Sequence, residues 1–125
     1  MIDEATPMID ITWQVADWQA REAAAYAAGV PALLRLVEVA QGDTGQSGVC
    51  GRFLLGVYNG TAFPFNLVDL RRLDPDLWQD CMAVLAMDKS PRKEVHQLVA
   101  DGYAIWEELK KAWGADRKRR ARRTA

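Results

Sequence analysis

Helix-forming stretches alternate with glycine and proline along this chain, and this punctuation limits the possible fold more than any other feature. The dipeptides Asn59-Gly60, Asp74-Pro75 and Ser90-Pro91 are typical of helix ends and helix starts. Between them, apolar residues recur at steps of three and four, which is the period of one helix face. Alternation at steps of two, which would indicate strands, is almost absent. The sequence therefore predicts an all-α protein.

We predict a compact bundle of about five helices. Gly29 is expected to end the first helix, and Val30-Pro31 to start the second, because proline suits the first turn of a helix. Gly102 lies inside the apolar stripe of the last helix, where it marks either a close contact or a break between two shorter helices. The predicted helices begin at Trp13, Pro31, Gly45, Pro75 and Pro91.

Three glycines, at positions 45, 48 and 51, fall three residues apart in the third predicted helix, which runs to Tyr58. Glycine inside a helix costs up to about 1 kcal/mol relative to alanine, so this spacing favours a close helix crossing. The alternative is that the helix begins near Cys50 and the glycines belong to a loop.

A connector at residues 61–73 joins the third and fourth helices. We interpret it as a structural clamp, in which Asp69 to Leu73 form one helical turn and Arg71 and Arg72 point outward. The alternative is a binding loop, in which an exposed rim of Phe63 and Phe65 beside the two arginines contacts a protein partner or an anionic ligand. The side chains expected to pin the connector to the core are Phe63, Phe65, Leu67, Leu70 and Leu73.

The chain of 125 residues suits a single helical domain at residues 13–113, between an N-terminal arm at 1–12 and a tail at 114–125. The acidic start lacks the basic-then-apolar order of a signal peptide. No uninterrupted apolar run approaches the roughly 20 residues of a membrane helix. Two cysteines without an export signal argue against a disulfide framework. We therefore expect a cytoplasmic protein with no membrane contact and an oligomeric state that the sequence leaves open.

The tail is strongly basic, although the whole chain carries a net charge of only −1. Against one acid it has six cations, so it carries +5 and leaves −6 on residues 1–113. Such a segment could neutralise phosphates and give salt-sensitive binding to DNA or RNA. The alternatives are a solvated, disordered terminus and a strap on the acidic body. The cations are Arg117, Lys118, Arg119, Arg120, Arg122 and Arg123.

The residues with catalytic or metal-binding chemistry are scattered. Cys50, Cys81 and His96 show no spacing typical of a metal site, and both cysteines fall on predicted helices, where small buried residues are common. A cysteine–histidine pair could form a nucleophile in principle, but His96 is better explained as a boundary residue of the last helix. We predict no catalytic residue, no metal and no cofactor, and hence no enzyme.

Five stretches between Gly29 and Leu109 carry a family resemblance: GVPALLRLVEVAQGDTGQS, RFLLGVYNG, FPFNLVDLRRLD, DCMAVLAMD and EVHQLVADG. In this order they resemble a family of small uncharacterised proteobacterial proteins, a domain of unknown function often encoded near plasmid or integrated-element genes. FNLVDL stands where the family pattern has FDLTDL, so Asn66 and Val68 replace an aspartate and a threonine. The resemblance implies the fold and no activity.

The functional hypothesis is a noncatalytic helical interaction protein, an adaptor or modulator of a protein partner. Five tryptophans exceed what a core of this size readily buries, and Trp13, Trp18 or Trp113 are candidates for a binding face. The alternative is an accessory protein that associates with nucleic acid through the basic tail.

Overall fold

The computed structural model describes residues 10–114, in which all regular elements are helices and none is a strand. The predictions for residues 1–9 of the arm and 115–125 of the tail lie outside the described residues. Two short 3-10 helices, Leu67–Arg72 and Val95–Leu98, lie in the connections, and a π-helical segment, Lys110–Gly114, follows the last helix. The α-helices are α1 (Thr12–Ala40), α2 (Gly45–Tyr58), α3 (Pro75–Asp88) and α4 (Gly102–Leu109).

Helices α2 and α3 both run antiparallel to α1. The four-residue turn 41–44 folds α2 back along α1. In the contact between α1 and α3, earlier residues of α1 lie against later residues of α3. Gly29 lies against Met87 near the end of α3, while Arg35 pairs with Asp80 near its beginning. The C-terminal ends of α2 and α3 therefore lie at the same end of the bundle.

Helix α1 is continuous, so the prediction of two helices separated at Gly29 was wrong. A Cβ at this glycine would lie 2.6 Å from the Cβ of Met87, so the glycine serves a close helix crossing and not a helix end. Pro31 and Ala27 are both exposed, so the carbonyl group that loses its hydrogen bond to Pro31 can be solvated. Packing overrides both local breakers.

Helix α2 confirms the predicted range, but Gly48 and Gly51 meet a side chain where a close helix crossing was predicted. The Thr44 hydroxyl accepts a hydrogen bond from the Ser47 amide in a capping box, which fixes the helix start ahead of the glycines. Trp113, from the π-helical segment, packs on Gly48 and Gly51; a Cβ at Gly51 would lie 2.1 Å from its ring. The glycines create room for an indole.

The connector is anchored, as predicted, with one exception. Phe63, Phe65 and Leu70 are half-buried against the core and Leu73 is buried. Leu67 is wrong as an anchor, because its side chain is 72% exposed at the start of the 3-10 helix.

The last predicted helix begins at Gly102 and not at Pro91, so that boundary was wrong and Gly102 marks a break. Preceding it, Asp101 has a left-handed backbone with φ of 57°. A Cβ at position 102 would lie 1.7 Å from the His96 carbonyl oxygen, so the 3-10 segment crosses directly over the start of α4. The glycine therefore satisfies both alternatives, a break and a close contact.

Candidate protein-binding surface

Helix α1 has two halves with different surroundings. Residues 25–40, the packed half, contribute a buried face to the core against α2 and α3. Residues 12–24, the projecting half, extend about 20 Å at 1.5 Å per residue. Every residue from 12 to 21 is exposed, including Trp13 at 65% and Trp18 at 56%.

The exposed apolar side chains of the projecting half continue the buried stripe of the packed half. Steps of three and four along one helix keep residues on one face. Counting back from Tyr26 by such steps reaches Glu22, Trp18, Val15 and the N-cap residue Ile11. We call Ile11, Val15 and Trp18 the bare stripe, because nothing within residues 10–114 covers them. The corresponding buried residues are Tyr26, Gly29, Leu33, Leu36 and Ala40.

The part of α1 that other elements contact ends at the loop formed by residues 89–93, which follows α3. The Arg92 amide donates a hydrogen bond to the Tyr26 hydroxyl, and its guanidinium lies over the Tyr26 ring at 4.2 Å. Arg92 also pairs with Glu22 at 3.8 Å. These contacts cover α1 as far as Glu22, which lies one helical turn from Trp18. The bare stripe therefore begins one turn beyond the part of α1 that the loop covers.

Trp13 lies on the other side of the projecting half. Successive helix residues are rotated by about 100°, so Trp13 points about 140° away from Trp18. Both indoles are exposed to a similar degree. Only Trp18 continues the core-facing stripe, and this makes Trp13 a matched control for it.

The sequence-predicted residues of the connector do not form one exposed rim. Phe65 packs edge-to-face on Phe53, with ring centroids 5.7 Å apart, and Phe63 lies beside Gly114. Arg71 and Arg72 are exposed, on the 3-10 helix. Of the four residues, the two phenylalanines are therefore half-buried and the two arginines are exposed.

Phe65 also lines a shallow groove of about 300 Å³ between α2, the connector and α3. Leu67 and Leu85 expose apolar surface at its edges. Burial, and then the neighbouring Glu94 carboxylate, raise the pKa of Asp88 in its wall. This groove is at the end of the bundle from which the projecting half of α1 extends.

The cysteines and the histidine lie in separate environments. Burial raises the pKa of the Cys50 thiol to about 11 and that of Cys81 to about 12, so both are protonated thiols at neutral pH. His96 instead packs edge-to-face on Tyr58, with centroids 5.1 Å apart. Across residues 10–114, no group of three His, Cys, Asp or Glu side chains is placed to hold a metal ion.

By length and composition, α1 could cross a membrane. The core helix of a water-soluble protein passes the same test, and much of α1 packs against α2 and α3. The sequence-based expectation counted only uninterrupted apolar runs. Helix α1 is longer than any such run because it joins an alanine-rich stretch to a leucine- and valine-rich stretch through Gly29 and Pro31.

Sequence reasoning identified Trp18 as a candidate and missed Ile11, along with the role of Val15 beside it. Stopping the first helix at Gly29 hid the continuity between the bare stripe and the core face. The steps of three and four through Gly29 and Leu33 were the available signal. The six cations of the tail lie outside the described residues.

Comparison with known families gives a match. A family model described as a family of unknown function, DUF7673, matches residues 30–114, which confirms the resemblance to a domain of unknown function. Neither the curated proteins nor the solved structures give a match. The match begins inside the packed half of α1, so the projecting half precedes the family domain.

Proposed function

We propose that this chain, which belongs to the DUF7673 family, is a noncatalytic interaction protein that presents the projecting half of α1 to a protein partner. The proposal rests on the bare stripe. This stripe continues the buried face of α1, but it lies beyond the end of the hydrophobic core and is exposed. Exposed apolar surface of this kind marks interaction sites in folded proteins.

The spacing of the bare stripe matches one mode of helix recognition. Ile11, Val15 and Trp18 stand at positions i, i+4 and i+7, the spacing of anchors on helices that bind in apolar grooves. Tryptophan is enriched among the residues that dominate binding energy. The helix is already formed, so binding need not order it.

Charge indicates the chemistry of the partner. The first 22 residues contain five acids and one base, Arg21, whose guanidinium pairs with Asp17 at 3.0 Å. An apolar groove with a basic rim complements an acidic segment of this kind. The acids are Asp3, Glu4, Asp10, Asp17 and Glu22.

Site-specific photo-crosslinking tests the proposal. A photoreactive phenylalanine analogue is placed at position 18 in one version of the full chain and at position 13 in another. Irradiation in native lysate should give a discrete protein adduct from position 18 and much less from position 13. Equal adducts from both positions, or none from position 18 across growth conditions, would contradict the proposal.

The proposal includes a cytoplasmic role in a bacterium, with a gene near those of mobile elements. The family resemblance supports that setting. The raised thiol pKa values of Cys50 and Cys81 support a noncatalytic role, because a thiol nucleophile reacts as the thiolate.

A second candidate function rests on the six cations within residues 117–123. Phosphate contacts by these side chains would give binding to DNA or RNA that weakens steeply with salt. Titration of the full chain and of a version ending at Gly114 onto labelled duplex DNA and single-stranded RNA tests this function. Loss of binding only in the shortened version supports it, and equal binding by both contradicts it.

A further inference from the structure

We propose that the protein occupying the bare stripe is a second copy of this chain, with the two projecting halves paired antiparallel. This inference rests on the proposed function and names its partner. A two-fold interface needs one self-complementary surface, and the projecting half has the required features along its length.

The geometry of α1 favours the antiparallel arrangement. The bare stripe faces the side of α1 on which α2 and α3 lie, beyond the point where both helices end. A second projecting half placed there would continue the bundle. Because it runs in the opposite direction, its tip, around Ile11, would reach the first chain near Tyr26 and residues 89–93.

Charge at these two places is complementary. Within the described residues the tip carries the exposed carboxylate of Asp10. At the base, where the projecting half meets residues 89–93, Lys89 and Lys93 are exposed, Arg92 is already paired with Glu22, and Glu94 follows them. Antiparallel pairing brings each Asp10 to the two lysines of the other copy. Parallel pairing would place Asp10 against Asp10.

The same chain cannot make this contact with its own projecting half. Helix α1 is continuous from Thr12 to Ala40, so its tip points away from the bundle. Residue 11 is separated from Glu22 by about 17 Å of helix at 1.5 Å per residue. The complementarity between tip and base is therefore available only between two molecules.

Sedimentation velocity of the full chain over a dilution series tests the inference. A pair of short helices buries less than a standard interface, so the series should extend to about 100 μM. We expect wild type to dimerise, Trp18→Ala to weaken dimerisation at least about tenfold, and Trp13→Ala to leave it unchanged. Circular dichroism checks that both variants retain wild-type helicity. Monomeric wild type at the highest concentration, or equal loss in both variants, would overturn the inference.

Carbodiimide coupling reports the orientation. Light and heavy isotopic versions of the chain are mixed, coupled and digested, and mixed-isotope peptides identify links between molecules. Links from Asp10 to Lys89 or Lys93 support the antiparallel pair. A dimer with links only between residues near the same position, or with none involving Asp10, contradicts that orientation.

Failure of this inference is distinguishable from failure of the proposed function. If wild type is monomeric and the photoreactive group at position 18 captures a foreign protein, the function stands and the second copy is excluded. If position 18 captures only this chain, both stand. If position 18 captures nothing and wild type is monomeric, both fail.

Discussion

The two halves of α1 are helical for different physical reasons. The projecting half is rich in alanine and other strong helix formers, and its exposed helix has the Asp17–Arg21 pair for local support. The packed half contains Gly29 and Pro31, which oppose helix formation, and is held by contacts with α2 and α3. Local preference accounts for one half, and tertiary packing for the other.

The test with the largest expected effect on stability compares two neighbouring leucines of the packed half. Leu33 is 0% exposed and Leu34 is 48% exposed on the same turn of the packed half. Leu33→Ala should lower the free energy of unfolding by about 2–5 kcal/mol because it leaves a cavity, and Leu34→Ala by less than about 1 kcal/mol. Urea unfolding followed by circular dichroism measures both. Similar losses would show that the packed half is not held by its buried face.

Gly29→Ala tests whether packing or helix preference dominates at the crossing of α1 and α3. Alanine favours the helix by up to about 1 kcal/mol, but overpacking against Met87 costs about 1–3 kcal/mol. We expect a net loss of about 1 kcal/mol in thermal unfolding. A gain in stability would mean that Met87 moves aside freely. Pairing the change with Met87→Ala should cost less than the sum of the two single losses.

The smallest expected difference concerns two arginines of α1. Arg35 donates to both carboxylate oxygens of Asp80, at 2.8 and 3.0 Å, and that carboxylate is nearly buried. Arg35→Met should lower the denaturant midpoint, because it leaves the nearly buried Asp80 carboxylate without this partner, although the exposure of the guanidinium limits the effect. Arg21→Met should cost less than about 0.5 kcal/mol, because its pair with Asp17 is exposed. Denaturant midpoints of the two variants check this order; equal values would contradict it.

The sequence was sufficient for the fold class, the range of α2 and the start of α3. These features depend on local chemistry, such as the capping box at Thr44 and the proline at position 75. Boundaries that depend on distant contacts were wrong. Gly29 is a signal of a helix stop by local rules, but it faces Met87 of α3 in the folded chain. Sequence spacing cannot specify which surface a glycine meets.

The candidate surface was predictable in part. The chain has more tryptophans than its core readily buries, and this pointed to Trp13 and Trp18. The local sequence pattern cannot show which of them lies on the core-facing stripe of α1 and which lies on the opposite face. That distinction requires α1 to be continuous through Pro31. The connector phenylalanines were recognisable as anchors because an unanchored 13-residue link would be costly to order.

The indole nitrogen of Trp113 donates to the Ala40 carbonyl oxygen at 3.0 Å, which fastens the end of the described chain to the turn that closes α1. That turn lies at the pole opposite the projecting helix. Within residues 10–114 the molecule is therefore directional, with the projecting half of α1 at one end and the turn 41–44 at the other. A probe attached to this turn would lie at the end of the molecule far from Trp18.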